Sequence, residues 1–171
     1  MSMHKDDILK RLLQVDKDMC LLDDSQDIFS CVIVGGSALV LLDKIYRSTH
    51  DIDSINASNE IKPLLEAYNI NMNVNAYRVN FPEKYLDRIV KVDIPTTKVN
   101  FYTLSLEDLV VSKLCSMREK DVEDIENGLV HKALDWELMD KLIEDVCYGL
   151  LTDYEVNALR ENYKNYREKI K

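Results

Sequence analysis

The part of this 171-residue chain best equipped for chemistry is Val34-Gly35-Gly36-Ser37, followed after thirteen residues by Asp51-Ile52-Asp53. Glycines at a strand-to-helix turn let backbone approach a polyphosphate. The N–H groups of the helix start and the Ser37 hydroxyl can then donate to its oxygens. Asp51 and Asp53, two apart in an extended chain, project to the same face, while Ile52 and Ile55 can turn toward a core. Two adjacent carboxylates repel one another unless a cation sits between them. A hard divalent ion such as Mg²⁺, which takes carboxylate and phosphate oxygens as ligands, removes that conflict. Gly-Gly alone is an ordinary turn and Asp-x-Asp alone an ordinary solvated strand, but in the order strand, glycine turn, helix, acidic strand they supply the parts of a nucleotide–metal site.

Such residues need a scaffold, and the periodicity of the chain outlines one. Ile8, Leu9, Leu12, Leu13, Met19 and Cys20 recur at helical spacing behind an Asp-rich start, which predicts an opening amphipathic helix. Ile28 to Val34 reads as a buried strand, Ser37 to Lys44 as a short helix, and Asp51 to Ile55 as a half-buried strand. A helix is expected over 59–68 and further strands near 73–79, 88–94 and 99–103. From Ser105 the period becomes helical: Ser105 with Asp108 resembles a capping box, and Leu106, Leu109, Val110, Lys113 and Leu114 continue one face. Helices over 121–131, 135–147 and 152–170 complete the chain, the last opened by Thr152 with Glu155. This pattern predicts an α+β fold, a small mixed sheet flanked by helices. Residues 1–104 are expected to form an α/β core with its N-terminal helix, and residues 105–171 a C-terminal helical region packed on it as a single structural unit.

Composition narrows the function classes. With four Gly and three Pro, the chain reads as an ordered globule without linkers or repeats. A formal charge of −9 repels polyanions on average and argues against a broad nucleic-acid-coating role. The charge is uneven: residues 121–155 carry eleven acids against two bases, and Arg160 to Lys171 carries five bases against two acids. The four cysteines, Cys20, Cys31, Cys115 and Cys147, form no clip and read as reduced packing residues. His4, His50 and His131 lack zinc-ligand spacing. The apolar stretch Ser30 to Leu42 is too short to cross a bilayer, and the N-terminus lacks the order of a signal peptide, so the expected location is cytoplasmic with no membrane partner.

At the glycine turn and the acidic strand the sequence resembles the nucleotidyltransferase superfamily, whose signature is Gly-Ser, a spacer of about a dozen residues, then Asp-x-Asp. Gly35-Gly36-Ser37-Ala38-Leu39 with Arg47-Ser48-Thr49-His50-Asp51-Ile52-Asp53 is similar to the bacterial AbiEii/MenT-like group, many of which are toxins of toxin–antitoxin pairs. Leu104 to Leu109, Ser112-Lys113-Leu114, and Arg118-Glu119-Lys120-Asp121 to Asp124 resemble that group's downstream motifs, so the resemblance runs from about Val32 to Ile125. It implies a polymerase-beta-like fold and transfer of a nucleoside monophosphate from an NTP to an acceptor hydroxyl, with Mg²⁺ as cofactor and pyrophosphate as product. Carried onto this sequence, Asp51 and Asp53 hold the metal, and Asp93 is the candidate third carboxylate and general base. Gly35, Gly36, Ser37, Arg47, Lys113, Arg118 and Asp121 are then the nucleotide-binding candidates.

Several of these residues admit a second reading. Lys113 is also a plausible solvated helix lysine, Lys120 an ordinary exposed base, Asp121 a cap of the next helix, Arg47 a counterion to the aspartates, and His50 an exposed loop residue. Tyr163 and Tyr166, interleaved with Arg160, Lys164, Arg167 and Lys169, could stack on an RNA end or form the wet face of a terminal helix. The expected acceptor is RNA, as at a tRNA 3′ end, or a protein hydroxyl, with a cognate antitoxin as partner. The alternatives are a small cationic acceptor such as an aminoglycoside, drawn by the acidic stretch, or a binding module that kept the fold and lost turnover.

Overall fold

The computed structural model describes residues 1–73 and 81–171, and it is an α+β fold with a five-stranded mixed sheet and flanking helices. Contacts divide the described chain into two compact units: residues 1–73 with Ile89–Leu104, and residues 81–88 with Ser105–Lys171.

In the first unit, α1 (Lys5–Leu22) buries Ile8, Leu12, Val15 and Met19 along one stripe; Cys20 falls outside it and is exposed, so it is not a packing residue. The central strand β1 (Phe29–Val34) is flanked on both edges, and Cys31, Val32, Ile33 and Val34 are all buried, which is why it reads as an unbroken apolar run. It runs directly into α2 (Gly35–Leu41), which starts at the first glycine and not at Ser37. The acidic strand β2 (Ile52–Ile55) lies antiparallel to β1. The expected helix over 59–68 is a 3₁₀ turn, Asn59–Ile61, continued by α3 (Lys62–Ala67).

A two-residue strand, β3 (Ile70–Asn71), runs parallel to β2 and has no counterpart among the sequence expectations; residues 74–79 of the strand expected over 73–79 lie outside the described residues. Of the strand expected over 88–94 only β4 (Val90–Lys91) forms, because the chain turns back on itself: Ile94 N donates to Val92 O and Thr96 N to Ile94 O. β5 (Val99–Thr103) pairs parallel to β1 and antiparallel to β4, giving the order β3-β2-β1-β5-β4. A buried carboxylate anchors this last strand to α1: Asp16 accepts the N–H groups of Thr97, Lys98 and Val99. Beside it, the buried Lys98 ammonium bonds Asp23 at 2.8 Å, which holds the Asp23 carboxyl down at about 2.

The second unit holds α4 (Leu106–Ser116), α5 (Glu119–Glu126), α6 (Gly128–His131), α7 (Trp136–Gly149) and α8 (Asp153–Lys169), with α4 packed against α5, α7 and α8. The helix expected over 121–131 is broken at Asn127, whose side chain caps Leu129 N and restarts it as α6. Ser105, Asp135 and Thr152 cap α4, α7 and α8, the last in a full capping box with Glu155. At α4 the carboxylate of Asp108 does not close a box; it is fully buried and takes two hydrogen bonds from Arg88, at 2.9 and 2.8 Å. Among the described residues no helix is long and apolar enough to cross a membrane.

Candidate active site

Register brings the glycine turn and the acidic strand together. Val34, the last residue of β1, pairs with Asp53 of β2, so the turn that begins at Gly35 starts beside the Asp53 side chain. Gly35 has φ +66°, a left-handed conformation that L side chains resist, and a Cβ placed on it would lie 3.3 Å from Asp53 Oδ2. A Cβ on Gly36 would lie 2.8 Å from Arg47 Nη2. Each glycine therefore leaves open the space next to a charged group, a carboxylate at one and a guanidinium at the other.

The loop between α2 and β2 positions the rest. Asp43 ends α2 at φ +57°, and Thr49 is clamped to the N-terminal segment by Met3 N to Thr49 O and Thr49 N to Met3 O, at 2.7 and 2.9 Å. Thr49 is buried, and its hydroxyl donates to Asp51 O, which fixes the backbone where the acidic pair begins. Arg47 Nη1 donates to Ser48 O at 3.0 Å, and the side chain leads back to Gly36. From there burial alternates as the strand period requires: Asp51 exposed, Ile52 buried, Asp53 half-buried. His50 is exposed, in accord with its plain loop reading.

Ser37 differs from the expectation. It is 1% exposed, and its hydroxyl donates to Val34 O at 3.0 Å, closing the turn from inside instead of facing a ligand. Asp93 is not brought to the acidic pair. It follows β4 at the sheet edge, and β1 and β5 stand between β4 and β2, a separation of about 14 Å at ordinary strand spacing. The residue in register with Asp53 on β3 is Asn71, whose side-chain amide donates to Asp53 Oδ1 at 3.0 Å. Sequence reasoning passed over Asn71 because a two-residue strand leaves no periodic signal. Ser54 Oγ, fully buried, donates to Asn71 O and holds that register.

The helical unit gathers the second motif into a cluster of its own. Lys113 on α4 is buried, and its ammonium bonds Asp121 Oδ1 at 2.8 Å and Asp124 Oδ2 at 2.9 Å, both carboxylates belonging to α5. Its solvated reading is thereby set aside. Ser116 Oγ donates to Asp121, and Arg118 Nε reaches Asp121 Oδ2 at 2.8 Å from a side chain 74% exposed. Burial raises the affinity of Asp121 for a proton, but the hydrogen bonds from Arg118, Lys113 and Ser116 outweigh it and hold the carboxyl at about 2.

The terminal helix also spends its side chains internally. Tyr166 is buried and donates to Ile125 O; Tyr163 stacks on Trp136 and donates to Asp140; Arg167 lies 5.4 Å from the Trp136 ring and pairs with Asp140. Lys169 pairs with Glu126, and Arg160 with Glu144. Arg160, Arg167 and Lys169 of the basic terminus are thus each paired with a carboxylate of the acidic stretch.

Residues 10–171 match the family described as nucleotidyltransferase of unknown function (DUF6036). The chain belongs to this nucleotidyltransferase family. No curated protein and no solved structure matches it. The glycine turn, Arg47 and Asp53 are the members of the sequence motif that the fold brings next to one another. Among its described residues this nucleotidyltransferase has no group of three or more His, Cys, Asp or Glu side chains placed to hold a metal ion by themselves.

Proposed function

We propose that the protein transfers a nucleoside monophosphate from an NTP to an acceptor hydroxyl at the Gly35-Gly36 turn and the Asp51/Asp53 strand. The observation that carries this reading is the 3.3 Å approach of Asp53 Oδ2 to the position a Gly35 side chain would fill. Only glycine keeps that space open for a phosphate oxygen or a cation next to the carboxylate.

The donor set suits Mg²⁺. That ion is ordinarily bound by one or two carboxylates together with substrate phosphates and water, not by an all-protein cage. Asp51 and Asp53, two residues apart at the start of β2, would supply the carboxylates, with phosphate and water completing the set. When bound there, Mg²⁺ would neutralise phosphate charge and polarise the α-phosphoryl group.

The chain's own residues do the positioning. Asn71 donates to one oxygen of Asp53, and the other lies beside the turn. The Gly35-Gly36 backbone takes the phosphates at close range, and Arg47, at Gly36, balances their charge. The acceptor oxygen bonds to the α-phosphorus as the bond to the pyrophosphate oxygen breaks; pyrophosphate leaves, and the acceptor's proton passes to solvent. Lys113, Asp121, Asp124 and Arg118 are assigned to holding α4 and α5 together.

For the acceptor we propose RNA, as at a tRNA 3′ end, in a toxin–antitoxin setting like that of the AbiEii/MenT-like group. A protein hydroxyl, a small cationic acceptor and a module without turnover are the competing outcomes. Incubation with NTPs labelled at the α-phosphate, Mg²⁺ and separate pools of tRNA, protein and aminoglycoside distinguishes them. Label on tRNA supports the proposal, label on another pool reassigns the acceptor, and NTP binding without transfer in any pool contradicts turnover.

A further inference from the structure

Asn71 meets the acidic strand from the edge of the sheet. β3 runs parallel to β2, with Ile52 paired to Ile70 and Asp53 to Asn71. Neighbouring strands lie about 4.8 Å apart, and partners in register project to the same face. Ile70 is buried and seats β3 on the core, while Asn71 is exposed beside the half-buried Asp53.

Hydrogen bonds orient the asparagine at both its backbone and its side chain. Its carbonyl accepts from buried Ser54 Oγ at 3.1 Å, and its Oδ1 accepts from Asn73 N at 2.9 Å. A backbone N–H can only donate, so the oxygen end of the amide belongs to Asn73. The NH₂ end is then the one that faces Asp53, and it reaches Oδ1 at 3.0 Å. Asp53 Oδ2 is the oxygen 3.3 Å from the place a Gly35 Cβ would take. At this register position a carboxylate in place of the amide would repel Asp53 unless a cation lay between them.

We propose that Asn71 is a positioning residue that holds Asp53 Oδ1, leaves Oδ2 to serve a cation at the turn and, being neutral, keeps the site from loading a divalent cation until a nucleotide brings its phosphates. The species bound is then the metal–nucleotide complex. A hard cation such as Mg²⁺ completes its oxygen shell from phosphate when the protein offers only one or two carboxylates. This inference rests on the transfer reading of the same turn and strand, and adds to it the residue that sets how the metal is taken up.

Mn²⁺ binding to the full chain, read by electron paramagnetic resonance on variants first shown to be folded, tests it. Asn71→Asp keeps the oxygen that accepts from Asn73 N and removes the donor to Asp53. With a second anion opposite Asp53, it should bind Mn²⁺ without nucleotide about tenfold or more tightly than wild type, and adding Asp53→Asn should erase the gain. Asn71→Ala should show no such gain. It should bind Mn²⁺ with an α,β-methylene NTP analogue roughly three- to tenfold more weakly than wild type. Nucleotide-free affinity in Asn71→Asp equal to wild type, a gain that survives Asp53→Asn, or undiminished analogue binding in Asn71→Ala would overturn this inference and leave the transfer reading in place. Failure of the wild-type chain to bind the analogue with Mn²⁺ would overturn both.

Discussion

Asp53 of β2 stands in register with Val34, the last residue of β1, and the residue that follows, the first of α2, is the glycine whose missing side chain leaves room for the Asp53 carboxylate. The two halves of the sequence signature meet because an antiparallel pairing places the end of one strand against the middle of the other.

The two glycines should respond differently to alanine. At Gly35 the left-handed backbone alone costs about 1–2 kcal/mol for an L side chain, and the added methyl crowds Asp53. Gly35→Ala is expected to lower the urea midpoint and abolish NTP binding together. At Gly36 the methyl meets the far end of the flexible Arg47 side chain, which can swing aside. Gly36→Ala should fold with nearly wild-type stability and bind NTP more weakly; calorimetric titration alongside urea unfolding separates the two behaviours.

Lys113 is expected to act on stability. Its removal leaves Asp121 and Asp124 buried with their ammonium partner gone, and breaking a buried pair in this way costs about 3–5 kcal/mol. Lys113→Met should therefore unfold at markedly lower urea. A variant as stable as wild type that merely loses nucleotide affinity would show that the lysine serves phosphate instead.

Acid should weaken the fold through two carboxylates in particular. Asp23, hydrogen-bonded by Lys98, and Asp121, held by Arg118, Lys113 and Ser116 against the effect of burial, both sit at about 2 in the folded chain, down from 3.8. A depressed folded pKa means the unfolded chain takes up protons first. The stabilisation is complete above the ordinary carboxylate range and is lost as pH falls from about 4 toward 2. Urea midpoints measured from pH 6 to pH 2.5 should fall in that window, and Lys98→Met should show a shallower fall than wild type.

What the sequence makes legible here is what local chemistry controls. β1, the glycine turn and β2 were readable because a buried apolar run, a helix breaker and a period-2 acidic segment each leave their own mark. The caps Ser105, Asp135 and Thr152 declared three helix starts. Asp16 did not show itself, because a carboxylate in an apolar helix stripe looks like an interruption until its three N–H partners, about eighty residues away, fold onto it. Asn71 was hidden by the brevity of β3, and Asp93 looked catalytic because alternation along one strand carries no information about where that strand joins the sheet. The tyrosines and bases of α8 resembled an RNA face for a similar reason: their partners Trp136, Asp140 and Ile125 lie on other helices or at a helix end.

Arg167 combines a cation–π contact with Trp136 and a partly exposed ion pair with Asp140, together worth about 1 kcal/mol. Arg167→Ala should lower the melting temperature by a few degrees and leave retention of single-stranded RNA unchanged. A selective loss of RNA retention at unchanged melting temperature would restore the RNA-face reading.

The most direct measurement of the central claim is Mg²⁺-dependent transfer of α-labelled phosphate by wild type, Asp53→Asn and Asp93→Asn, each first shown to be folded. The site described here predicts a loss of roughly 100-fold or more for Asp53→Asn, with Asp93→Asn close to wild type. Undiminished transfer by Asp53→Asn, or its abolition by Asp93→Asn alone, would contradict it.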